Sequence, residues 1–161
     1  MKAKPFTLFK LMVAFIAIAV IGCWHVTNSP SSAKIKVEVR LAEHAPQPNY
    51  HEMELYGTKV KVYMTPEIYF SNSDIKYAKA ELEMGTVMEN PIIILKLTPD
   101  ASERFAKFSK DNYNKSVAII FDDKVMATPI IRDTMSAGIV YFTGRFTLEE
   151  AKVFSKQING R

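Results

Sequence analysis

This chain has few residues able to carry chemistry. Among its 161 residues stands a single cysteine, Cys23. No disulfide can form within the chain, so the fold must rest on an ordinary hydrophobic core. Histidine occurs three times, as His25, His44 and His51, and tryptophan once, as Trp24. There is no G-x-S-x-G, no phosphate-binding loop and no G-x-G-x-x-G. His44 and His51, with Glu43, Glu52 and Glu54, form the one cluster of ligand-type side chains. Its spacing does not fit a helical H-E-x-x-H site, and Pro46 and Pro48 make the segment a loop, so a solvated loop is the simpler reading and a metal site the rival one. Asp122-Asp123 are adjacent carboxylates at a tight turn, where such residues serve as turn formers more often than as acid and base. Phe105, Phe108, Phe146 and Phe154 fall at core spacing and need no ligand. The expectation is a protein without catalytic residues, cofactor, bound metal or small-molecule substrate.

Charge of one sign is also scarce. The formal net charge is +4, but Lys2, Lys4 and Lys10 supply three positive charges in the first 22 residues with no acid beside them. The remainder is close to neutral, with basic and acidic residues interspersed. That pattern lacks the electrostatic footprint of nucleic-acid binding.

What the N-terminus does contain is informative. The three lysines precede an apolar run, Leu11 to Ile21, that ends in Val20-Ile21-Gly22-Cys23. A positive segment, a short apolar stretch and a small residue before the cut describe an export signal, and Cys23 is then the lipid attachment point of a lipoprotein. Two alternatives remain open. Phe6 to Trp24 could cross a bilayer uncleaved if Lys10 snorkels, with Trp24 at the interface, or the segment could be a plain secretory signal. All three place the rest of the chain outside the cytoplasm. The expected division is 1–22 as signal or anchor, 23–34 as a polar tether, and 35–161 as one domain. The 139 residues that follow the cut are enough for a core of their own.

Within that domain, Ile35, Val37, Val39 and Leu41 alternate with charged residues and predict a half-buried strand. Met53 to Tyr63 predicts a hairpin turning at Gly57-Thr58, and Ile68 to Phe70 continues in extended form. Three helices are expected. The first runs Asp74 to Met84, capped at Asn72 or Ser73, with Ile75, Ala78 and Leu82 on one face and Gly85 as its stop. The second takes Thr98 as N-cap and Pro99 as first residue and buries Ala101, Phe105 and Phe108. The third opens with the capping box Thr147 to Glu150 and ends near Gly160. Strands are expected at Pro91 to Leu97, Ser116 to Phe121, Val125 to Ile131 and Ile139 to Phe146. The order indicates an α+β fold, a mainly antiparallel sheet with helices packed on one face.

Three blocks carry a resemblance. They are Leu97-Thr98-Pro99-Asp100-Ala101 with Phe105-Ala106, then Ala118 to Val125 with Pro129-Ile130-Ile131, and then Gly144 to Ala151. In this order and spacing, residues 92–160, and more loosely from Ile35, resemble the large periplasmic P1 region of the protein-export subunit SecD, most closely its head subdomain. Ser73 to Ala78 also resembles the start of a helix ahead of that head. Lys115-Ser116 and Ala137-Gly138 depart from the family, which often has further glycines there. SecD continues into a transmembrane bundle that uses the proton gradient, and the resemblance does not extend to that part. It implies a membrane-tethered envelope module that binds a protein or polypeptide partner, accessory to export. The alternative is a structural subunit of a larger membrane complex, with residues 1–26 retained as a helix. If unfolded chain is the partner, an exposed sheet edge is the natural device. The candidate edges are Val125 to Ile131, with Val125, Ala127 and Ile130 as contact residues, and Ile139 to Phe142, with Ile139 and Tyr141.

Overall fold

The computed structural model describes residues 34–83, 90–135 and 137–160. Cys23, the signal or anchor and nearly all of the tether lie outside the described residues. The strands are β1 (Val37–Glu43), β2 (His51–Glu54), β3 (Lys61–Met64), β4 (Phe70–Ser71), β5 (Ile75–Leu82), β6 (Pro91–Leu97), β7 (Ser116–Phe121), β8 (Lys124–Ala127) and β9 (Ile139–Thr143). The helices are α1 (Pro99–Asp111) and α2 (Leu148–Ile158), with a 3₁₀ turn at Asn72–Asp74. Pairing between the strands is antiparallel throughout. The strands divide into two sheets, β2-β3-β1-β7-β8 with β4 also on β1, and β5-β6-β9. The α+β class is as expected.

Both expected helices in the second half form, and their caps explain why. Thr98 Oγ1 accepts from Ala101 N–H at 3.3 Å, and Pro99 occupies the first turn, where a missing N–H costs nothing. At α2 the capping box is reciprocal: Glu150 Oε2 accepts from Thr147 N–H at 2.7 Å and Thr147 Oγ1 accepts from Glu150 N–H at 3.2 Å. Those bonds from Thr147, backbone first, hold the Glu150 carboxyl below its ordinary range.

The helix expected over Asp74 to Met84 does not form; β5 stands there instead, and the start of a helix read into Ser73 to Ala78 shrinks to the 3₁₀ turn. Ala, Lys, Glu and Leu favour helix only weakly, and the same residues alternate with period two. Ala78, Ala80 and Leu82 lie opposite Leu95, Ile93 and Pro91 of β6. The continuous apolar run of β6 needs a partner on each side, and β5 supplies one. Strand β1 differs from a half-buried strand, since Val37, Glu38 and Val39 are all buried.

The two sheets share a main core with α2. Phe121 of β7 meets Phe142 of β9 at 5.9 Å and Phe154 of α2 at 5.8 Å between ring centroids. Phe146 closes the group, at 6.2 Å from both Phe142 and Phe154. A second cluster packs Phe105 and Phe108 of α1 on Phe70, Val39, Leu97 and Val117. A third, of Ala42, Val62, Met64, Ala118, Ile120 and Val125, fills the other face of the larger sheet. Glu38 lies on that face, opposite Ile120. Arg40 Nε donates to Glu38 Oε2 at 2.9 Å, and Lys36 pairs with Oε1. Arg40 Nη1 also donates to Thr65 O at 3.1 Å and Pro66 O at 2.7 Å, pinning the segment after β3 onto β1.

Two stability outcomes follow. Phe121→Ala should cost about 3–5 kcal/mol in urea unfolding, because the buried ring packs on both β9 and α2; a loss below about 1 kcal/mol would contradict the shared core. Burial pushes the Glu38 carboxyl up, but the hydrogen bonds and charges of Lys36 and Arg40 outweigh it and the net shift is downward. A carboxyl lowered in the folded state contributes stability above its unfolded pKa of about 4.3, and this is lost as pH falls through the folded value. Glu38→Gln should therefore be less stable than the parent at pH 7, with the gap narrowing below about pH 4. A gap constant across that range would show that the ion pair is not the source.

Candidate functional site

Unpaired sheet edges invite other chains, and folded proteins cover or blunt them. Here most are closed. The larger sheet curls until its ends meet: Tyr56 N–H donates to Val125 O at 2.7 Å, and Leu55 bridges Val125. Tyr56 O–H reaches Glu150 Oε1 at 3.2 Å, tying that closure to α2. Burial, followed by the charge and hydrogen bond of Glu150, pushes the Tyr56 phenol up. The outer edge of β2 is short and carries exposed His51, Glu52 and Glu54. On the smaller sheet, the Asn159 side chain at the end of α2 imitates a strand. Its Oδ1 accepts from Ala78 N–H at 2.8 Å and its Nδ2 donates to Ala78 O at 2.8 Å, blocking β5 at mid-length.

The far edge of β9 has no such cover among the described residues. Leu97 N–H donates to Gly138 O at 2.9 Å, and the register continues through Leu95 with Val140 and Ile93 with Phe142. Antiparallel alternation assigns the ladder bonds to those residues. It turns the N–H and C=O groups of Ile139, Tyr141 and Thr143 away from β6. The stretch Met126 to Ile131 runs alongside. Gly144 lies against Met126, and a Cβ there would stand 2.9 Å from Met126 O. Further along, Pro129 and Tyr141 line the same two hollows. Among the described residues no backbone hydrogen bond joins 126–131 to 139–143.

The gap between them is a cleft with two parts. The wider groove, about 610 Å³, is bounded by Ala127, Thr128, Thr143 and Arg145, with Glu83 and Asn90 at its end. The narrower part, about 60 Å³, reaches into the apolar interior between Pro129, Ile131, Met135 and Val140. Gly138 leads into β9 at φ +60°, with the Ser102 side chain of α1 filling the space a Cβ would need. The start of the open edge is thereby held against α1.

Of the five residues expected to meet a partner, two stand exposed at the lining of the cleft and a third stands near them on β9. Ile130 and Tyr141 line the narrow part, and Ile139 shares the exposed face of β9 with Tyr141. Their exposures are 44%, 61% and 41% respectively. Val125 and Ala127 are buried, in the third cluster and the main core. Pro129, Met135 and Val140 complete the cleft without having been singled out by sequence. The one signal pointing to them is the apolar stretch after β8, interrupted by Pro129, which suits an edge. The remaining candidates stay apart. His44 and His51 are exposed. Among the described residues no group of three or more His, Cys, Asp or Glu could hold a metal. Asp122 and Asp123, at φ +40° and +60°, form the turn between β7 and β8, and Asp122 Oδ1 accepts from Lys36 N–H at 2.8 Å. No helix among the described residues is long and apolar enough to cross a membrane.

Amide hydrogen exchange tests the edge assignment. Val140 and Phe142 should be protected while Ile139, Tyr141 and Thr143 exchange fast, and Asn159→Ala should speed exchange at Ala78. Equal protection of Tyr141 and Phe142 would mean that the edge is covered.

Comparison with known proteins agrees with this architecture. The chain is 36% identical over 74 residues to the protein translocase subunit SecD of Calditerrivibrio nitroreducens, covering 46% of this chain and 14% of that protein. It is 32% identical over 88 residues to SecD of Dictyoglomus turgidum, covering 55% and 21%. The chain thus spans a minor part of these relatives. Two solved SecDF structures match in fold at a TM-score of 0.63 and 17% identity, over 80% of this chain. They are the super-membrane-facing form, of which 19% is covered, and a structure described as that of a membrane component enhancing protein export, of which 64% is covered. The family model of the SecDF P1 head subdomain matches residues 49–160, so the chain belongs to that family.

Proposed function

We propose that this protein is a non-catalytic, membrane-tethered envelope module that binds polypeptide in the cleft between β9 and Met126 to Ile131, as an accessory to protein export. The observation that supports it most is the β9 edge, uncovered among the described residues, with apolar side chains beside it, in a fold that closes most of its other edges. An export context is drawn from the relatives: those matched in sequence are translocase subunits, and one solved relative is described as enhancing protein export. The tether rests on the N-terminal sequence, with Cys23 as lipid attachment point.

A second reading has an observation of its own. The outward face of the smaller sheet carries Tyr77, Ile94, Ile139 and Tyr141, and Ile94 stands opposite Tyr141. A fixed subunit contact on that face would suit a structural role in a larger complex, with the N-terminal segment retained as a helix.

Hydrogen exchange on the full chain, with and without an unfolded exported polypeptide, separates the two. The cleft reading expects new protection at 128–131 and 139–143, and a loss in affinity of about tenfold or more for Ile130→Asp with unchanged stability. Protection confined to the outward face around Tyr77 and Ile94, or none, would count against it. The mass of the mature N-terminus reports the tether: a chain starting at lipidated Cys23 supports the lipoprotein, and retained Met1 to Gly22 supports the subunit.

A further inference from the structure

We infer that the cleft takes its polypeptide as an added β-strand, antiparallel to β9, and selects segments with aliphatic side chains at every second position; this rests on the binding function proposed above. The backbone carries the first half of the argument. Ile139, Tyr141 and Thr143 present N–H and C=O groups that have no backbone partner among the described residues, at the spacing of a strand, and pairing in both sheets is antiparallel. A segment hydrogen-bonded there satisfies groups that otherwise rely on water. The competing edges are interrupted: Asn159 occupies Ala78 at the middle of β5, and Tyr56 occupies Val125 on β8.

The side-chain preference follows from the alternation of a strand. Residues of the added strand that bond Ile139, Tyr141 and Thr143 share the outward face with them. The residues between turn inward, beside Val140, over the hollow bounded by Pro129, Ile131 and Met135. That hollow is apolar and measures about 60 Å³, well under the roughly 150 Å³ that accommodates a benzene ring. It suits the branched end of Val, Leu or Ile and excludes an aromatic ring. A charged group there would be desolvated without a partner.

The test uses the full chain and a labelled ten-residue peptide of alternating Thr and Val, read by fluorescence anisotropy. Thr residues are expected to face outward and bond β9, and Val residues to face inward. N-methylation of the Thr amides should then weaken binding about a hundredfold, as three hydrogen bonds are lost. N-methylation of the Val amides should change it by less than about threefold, since those N–H groups point away from β9. Replacing the central Val by Phe or Asp should weaken binding at least about tenfold. Equal effects of the two methylation patterns, the reverse order, or indifference to Phe and Asp would overturn strand addition. A carboxymethylated, permanently unfolded polypeptide serves as the second probe. Its binding in that event leaves the polypeptide-binding function standing and removes only this mode. Binding of neither probe removes both.

Discussion

The structure depends on how the two sheets are joined. Phe121, Phe142, Phe146 and Phe154 bring β7, β9 and α2 into one aromatic cluster, with ring centroids about 6 Å apart and mostly edge-to-face. This fixes the smaller sheet over the larger at one end of β9. Gly144 lets the backbone pass against Met126 O there. Beyond that contact the two strands separate, and the cleft is the space left where the sheets face each other without sharing hydrogen bonds. Loss of the cluster would remove the cleft along with the core.

Edge control turns that space into a candidate site. The nine short strands among the described residues leave many unpaired backbone groups to manage, and the fold does so by different means at different places. The larger sheet curls until Tyr56 meets Val125, β2 relies on charge and brevity, and β5 is stapled by the Asn159 amide. The open β9 edge is conspicuous because its neighbours are closed. Exposed Tyr141, Ile139 and Ile130 then place apolar surface where backbone donors and acceptors are free, a combination suited to an extended chain.

Much of this was legible in the sequence. The Thr98-Pro99 and Thr147-Glu150 signatures located both helices because cap chemistry is local. Period-two alternation located β1, a short apolar run located β7, and Ile130, Ile139 and Tyr141 were named from candidate edges. The segment after Asp74 was misread because its helix-forming Ala, Lys and Glu residues also fit a strand, and the deciding factor was non-local: the demand of β6 for a partner. Burial of Val125 was equally out of reach, since it depends on the closure of Leu55 onto β8 across some 70 residues of chain, and Ala127 turns into the main core that both sheets build. The family resemblance came from blocks distributed along the second half, and the match over residues 49–160 agrees with it.

The relatives are far longer than this chain, so the common ground is the head fold. The most direct measurement is site-specific photo-cross-linking in intact membranes, with the reactive residue at position 141 in one sample and at position 107, on the exposed face of α1, in another. Exported precursors captured from position 141 and not from position 107 are the predicted result. Equal capture from both positions, or capture of a fixed membrane subunit alone, would contradict a polypeptide-binding cleft.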